Sequence, residues 1–141
     1  MKHAKWFVVV SLVVFSGMAV AQLIGSSRIV AQVPFEFMVG NRIVPAGECD
    51  LWASTMDGRI LTIRNTDAKV GLFAATSQVE SKHPAAHYAL VFKQYGNRYF
   101  LSEITLEGSK ISYQLPESKA EAEMRAQNVS ATQETLLAAK R

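Results

Sequence analysis

Ile29-Val30-Ala31-Gln32-Val33-Pro34-Phe35-Glu36-Phe37-Met38-Val39 is the stretch that decides the fold. Every odd-numbered residue in it is apolar, and Gln32, Pro34 and Glu36 stand between them. Successive side chains of a strand point to opposite faces, so a period of two predicts a strand with one buried face. Pro34 has no N–H to give to a ladder and predicts an edge position or a bulge. Gly40-Asn41 then turns the chain.

The same grammar continues downstream. Arg42–Val44 reads as a second strand ending at Pro45-Ala46-Gly47, where Pro fixes φ and Gly admits a positive one. Cys49, Leu51 and Ala53 alternate with Asp50 and Trp52 in a third strand. Asp57-Gly58 predicts a type I′ hairpin into a strand over 59–64. Further strands are predicted over 70–76, 88–93, 98–105 and 110–115, with 77–87 as a polar interval and Gly96-Asn97 and Gly108-Ser109 as turns. About eight short strands with no helical period between them predict an antiparallel β-sandwich, or alternatively a small closed β-roll or barrel.

Composition changes at Pro116. Residues 116–141 hold no aromatic side chain. Ser118 followed by Glu121 fits a capping box, which predicts a C-terminal helix over 119–127. Residues 128–141 are expected to extend that helix or to form a disordered tail. The β domain is thus expected over 29–115, a C-terminal helical segment over 116–127, and a linker over 22–28.

Residues 1–21 read as an export signal. Lys2, His3 and Lys5 form a basic start, Trp6–Phe15 is apolar except for Ser11, and Ala19-Val20-Ala21 offers small residues to a signal peptidase. Cleavage is expected between Ala21 and Gln22, giving a secreted or periplasmic protein; an uncleaved N-terminal anchor is the alternative. The apolar run is too short for a comfortable span, so no membrane span is expected after cleavage. Loss of Lys2 and Lys5 lowers the net charge from +3 to +1. A near-neutral chain has no polyanion-binding excess, so no nucleic-acid partner is expected.

Chemistry-bearing motifs are sparse. No nucleophile elbow, phosphate-binding loop, dinucleotide fingerprint or Ca²⁺ loop is present. His83 and His87 are four apart, as in helical zinc sites, but Pro84 pushes His83 toward extended geometry. Surface histidines are the expectation, with no metal and no cofactor. Carboxylates such as Glu36, Glu48, Asp50 and Asp57 are expected on solvated faces and turns, and Arg64 among scattered solubilising residues. Cys49 is the single cysteine. It is expected to be a buried small hydrophobe, with an interchain disulfide as the alternative. Trp52, Tyr88, Tyr95, Tyr99 and Tyr113 are the candidate binding surface if they face outward together; otherwise they fill the core or its rim. Asn128-Val129-Ser130 matches a glycosylation acceptor.

Val33-Pro34-Phe35-Glu36-Phe37 through Val39-Gly40, Pro45-Ala46-Gly47-Glu48, Lys69–Phe73, Leu90–Ser102 and Leu115–Glu121 together form a pattern. In these segments the chain resembles a family of short secreted proteins of soil bacteria, over residues 30 to 125. Cys49 stands where that family's pattern has an aromatic, usually Tyr, which implies a packing position. The resemblance carries no activity. A non-catalytic structural or binding module with a protein or glycan partner is therefore the expected function. A small enzyme acting on envelope or extracellular polymers is the alternative.

Overall fold

The computed structural model describes residues 28–127 and 129–141. The export signal, its cleavage position and Asn128 lie outside the described residues. Twelve strands and one helix follow in order: β1 Arg28–Val33, β2 Phe37–Val39, β3 Arg42–Val44, β4 Gly47–Ala53, β5 Ile60–Asn65, β6 Val70–Ala75, β7 Ser77–Glu80, β8 Ala89–Tyr95, β9 Arg98–Thr105, β10 Ile111–Gln114, α1 Lys119–Ala126, β11 Ala131–Leu137 and β12 Ala139–Lys140. One sheet has the order β12-β1-β4-β5-β6. The other has the order β11-β8-β9-β10-β7, with β2 joining β9 and β3 joining β2. Neither sheet closes on itself, so the architecture is sandwich-like rather than a barrel.

A single core lies between the sheets. Ile29, Ala31, Val33, Leu51, Leu61, Ile63 and Leu72 line it from one side, and Phe37, Val39, Leu90, Phe92, Leu101 and Ile104 from the other. Phe35 and Phe37 meet the Phe92 ring edge-on at 5.0 and 5.1 Å, the geometry that aromatic quadrupoles favour.

The opening alternation is real but belongs to two strands. β1 pairs with β4 in one sheet, whereas β2 pairs with β3 and β9 in the other. The chain changes sheet at Pro34–Glu36. Val33 and Phe37 are both buried, because they stand four positions apart, an even offset, and the inward phase survives the bend. Pro34 sits where no ladder N–H is needed.

Three expectations are corrected. Residues 131–137 and 139–140 are strand, neither helix nor disordered tail: β11 pairs along the whole of β8, and β12 pairs with β1. Helix preference amounts to tenths of a kcal/mol per residue. A seven-residue ladder on an open sheet edge, with Leu136 and Ala138 packed on the core, outweighs it. Ser77–Glu80, within the expected polar interval, pairs with β10. Asp57-Gly58 does not make a two-residue type I′ turn. Among the described residues Lys69 is the one non-glycine with positive φ, so Asp57 lacks the conformation that turn needs. Instead the Asp57 carboxylate accepts from the Thr55 hydroxyl at 2.6 Å and the Arg59 N–H at 3.1 Å, holding a longer loop.

The helix meets the outer face of the β8–β9 sheet at Glu121, its one buried residue. Ser118 caps it by accepting from the Glu121 N–H at 3.1 Å. The Glu121 carboxylate turns to the sheet, where it accepts from the Tyr95 hydroxyl at 3.1 Å and lies 3.8 Å from Lys93 Nζ.

Candidate functional site

The outer face of the five-stranded sheet carries the most concentrated chemistry. Cys49 and Leu51 point into the core, so Glu48, Asp50 and Trp52 project outward from β4. The register sets Asp50 between Val30 and Arg64, and Trp52 between Arg28 and Thr62. Across β5, Thr62 faces Phe73 and Arg64 faces Gly71. One row of the face thus reads Arg28, Trp52, Thr62, Phe73.

Asp50 is fully buried although it points away from the core. Arg64 Nη2 donates to its carboxylate at 3.2 Å, Arg141 Nη1 donates to both oxygens at 3.2 and 3.3 Å, and Arg28 Nη1 lies 4.0 Å away. Arg141 Nη2 also donates to Glu48 at 3.1 Å. The arginine side chains are themselves about half exposed, at 39%, 46% and 52%. A carboxylate out of water is costly unless paired and hydrogen-bonded, and here the guanidiniums supply both.

Trp52 is bound into the same cluster. The Arg28 guanidinium lies 4.4 Å from its ring centroid and that of Arg64 5.5 Å, within cation–π range. Phe73, two strands away, is 74% exposed. The arrangement is a basic and aromatic surface held rigidly on strands. The arginine donors already bind carboxylates, so the cluster offers contact area and fixed charge rather than a proton relay.

The five aromatic residues singled out from sequence lie at separate places. Trp52 is half-buried on the outer face just described. Tyr88 packs at the core rim before β8, and its carbonyl accepts from the Ala138 N–H at 2.8 Å. Tyr95 is buried beneath α1, with Phe100 edge-on at 5.7 Å. Burial, then its bond to Glu121, pushes the Tyr95 hydroxyl above its ordinary pKa. Tyr99 stacks on Phe35 with centroids 3.7 Å apart. Tyr113, on β10, packs beside Gly58. No two of the five stack on one another among the described residues.

Asp50 is corrected from a solvated-face carboxylate to a buried one, and Arg64 from a scattered solubilising residue to its partner. Arg28, Arg141 and Phe73 were not singled out from sequence. The available signal was the even-numbered phase of Asp50 and Trp52 on a strand whose odd residues are core.

Cys49 is fully buried. Its Sγ donates to the Gly47 carbonyl at 3.7 Å. Burial first, then the carboxylates of Asp50, Asp67 and Glu48, push the thiol up to about 11. A thiol in that position is not placed for an interchain disulfide. His83 and His87 are exposed, and no group of three or more His, Cys, Asp or Glu side chains is placed to hold a metal ion among the described residues. No described helix is long and apolar enough to cross a membrane.

An open groove of about 380 Å³ runs across the other sheet, lined by residues that include Lys93, Glu103, Gln114 and Thr132. Lys93 lies on the Glu121 side of it. Comparison with known protein families, curated proteins and solved structures finds no match for this chain.

Proposed function

We propose that this chain is a non-catalytic exported module of the cell envelope or extracellular space, and that it binds protein through the outer face and edge of the five-stranded sheet. The observation that carries the reading is Phe73, a large aromatic residue 74% exposed in the same row as Trp52 and Arg28. Aromatic and arginine side chains concentrate the energy of protein interfaces, and strands hold them with little ordering cost. On the outer face of the opposite sheet the aromatic Tyr95 is buried and bonded to Glu121 of α1, whereas Phe73 on this face is exposed.

Two features favour protein over glycan. Arg28 already lies over the Trp52 ring, the surface on which a sugar would stack. The half-exposed arginines are suited to the carboxylates and carbonyls of a polypeptide. The enzymatic alternative finds less support, because the groove by Lys93 and Glu103 is open rather than enclosed and Lys93 is turned toward Glu121 at 3.8 Å.

A photo-crosslinking amino acid in place of Phe73, expressed in the full chain in its host, tests the reading. A discrete protein adduct at 73, absent when the probe replaces Lys110, is expected. No adduct at 73, or the same adduct from both positions, overturns it.

A further inference from the structure

We propose that β6 is the contact through which two copies of this chain pair, edge to edge and antiparallel, about a two-fold axis at Phe73. The proposal deepens the protein-binding reading above by naming one partner.

The backbone sets the phase. Ser54 N–H donates to the Ile60 carbonyl and Thr76 N–H to that of Arg59, both at 2.8 Å. Ile60 therefore faces β4, and Arg59 faces the β6 side. Hydrogen-bonded and non-bonded pairs alternate along an antiparallel ladder. Within the register that pairs Ile60 with Ala75 and Leu61 with Ala74, residues 70, 72 and 74 bond to β5. Gly71, Phe73 and Ala75 then turn their N–H and C=O groups outward, and β6 is the end strand of its sheet. An open groove of about 140 Å³ runs beside it, lined by residues that include Val39, Gly40, Leu115 and Pro116.

Exposed edges are normally blunted by shortness, charge or proline. The other described edges follow that rule. β12 has two residues and β3 has three, β7 carries Glu80, and β11 carries Glu134. β6 is Val-Gly-Leu-Phe-Ala-Ala, with no charge and no proline.

Self-complementarity selects a second copy as the occupant. Gly71, Phe73 and Ala75 bond outward, so a symmetric pairing centred on Phe73 sets Phe73 against itself and Gly71 against Ala75. The small residues leave room for the two rings. Leu72 and Ala74, both buried on the core side, would face each other across the junction and extend the core. Lys69 would meet Ser77, so no like charges oppose. The result is a ten-stranded sheet with both arginine and tryptophan clusters on one side. A contact limited to a six-residue edge falls at the small end of interface sizes, which implies a dissociation constant on the order of micromolar.

Sedimentation equilibrium of the exported protein over a wide concentration range tests the pairing. A reversible monomer–dimer equilibrium is expected. Phe73→Lys places two ammonium groups at the axis, and Ala75→Pro removes one outward N–H while sparing the bonds to β5. Each should weaken dimerisation at least about tenfold with circular dichroism unchanged. A monomer at every concentration, or a dimer insensitive to both substitutions in folded protein, overturns the proposal. A monomer that still gives a protein adduct at position 73 overturns the pairing alone. Adducts at position 73 that contain only a second copy of this chain, with dimerisation intact, keep the pairing and overturn the wider envelope-binding reading instead.

Discussion

Arg141 and Asp50 are 91 residues apart in sequence and joined by two hydrogen bonds of 3.2 and 3.3 Å. With Arg64 and Arg28 on the same carboxylate, the pair clamps the C-terminal strand to the sheet. Removing Asp50 leaves three neighbouring guanidiniums with one fewer counter-charge. They are half exposed and return partly to water, so the cost is below that of stranding a deeply buried ion. Asp50→Ala is expected to lower unfolding free energy by about 2–3 kcal/mol, and Arg141→Ala by about 0.5–1 kcal/mol. In the Asp50→Ala background the Arg141 substitution should cost less, because only its bond to Glu48 remains. Urea denaturation of the four proteins in the double-mutant cycle checks the coupling; full additivity would remove the clamp.

That cluster also marks where sequence stops being informative. The odd-numbered apolar residues from Ile29 to Val39 express a purely local rule, so the strand phase could be read directly. Asp50 has the right phase to be solvated, and only its cross-strand neighbours bury it. Arg64 and Arg141 lie far off in the chain, and no spacing connects them to Asp50. Residues 131–140 show the same limit. Their Ala, Thr and Leu suit helix or strand, and the open edges of β8 and β1 decide. Cys49 was legible because its odd phase alone puts it inside, and Ser118 because a cap is local. The gathering of Trp52 with arginines, and the dispersal of the four tyrosines, depended on topology.

Gly58 is required by its conformation. Its φ is +69°, and a Cβ there would lie 2.5 Å from Tyr113 Cε1. Gly58→Ala adds left-handed strain to a forced shift of the tyrosine ring, and is expected to cost about 1–2 kcal/mol. Gly96→Ala shares a positive φ of +62° but meets no neighbour, so it should cost less. Thermal melts of the two variants measure the part due to Tyr113; equal losses would assign that part no energy.

Glu121 fastens the helix. It is 5% exposed, accepts from Tyr95 and lies near Lys93. Tyr95→Phe leaves the carboxylate with Lys93 and is expected to cost about 1 kcal/mol; Glu121→Ala strands the Tyr95 hydroxyl and is expected to cost about 1–3 kcal/mol. Hydrogen exchange across residues 119–126 should speed up more in the second variant. Unchanged exchange in both would mean that apolar contact alone holds α1.

Cys49 provides a pH test. Its folded thiol is raised from 9.0 to about 11 by burial and by the carboxylates of Asp50, Asp67 and Glu48. Between those values the native state keeps a proton that the unfolded chain releases, so the native state binds more protons and stability falls as pH rises. The contribution is whole below pH 9.0 and is lost on passing through about 11. Cys49→Ala removes this component, and also leaves a small cavity worth about 1–2 kcal/mol at neutral pH. The two proteins should therefore draw closer in stability across that window, while tyrosine and lysine titrations common to both cancel in the difference. At about pH 8 the native thiol should resist a thiol reagent and react at a rate set by unfolding, because the thiolate is the reactive form. Denaturation curves taken at intervals through the window, with labelling rates in rising urea, read both effects. A constant stability gap together with rapid native-state labelling would place Cys49 outside the core.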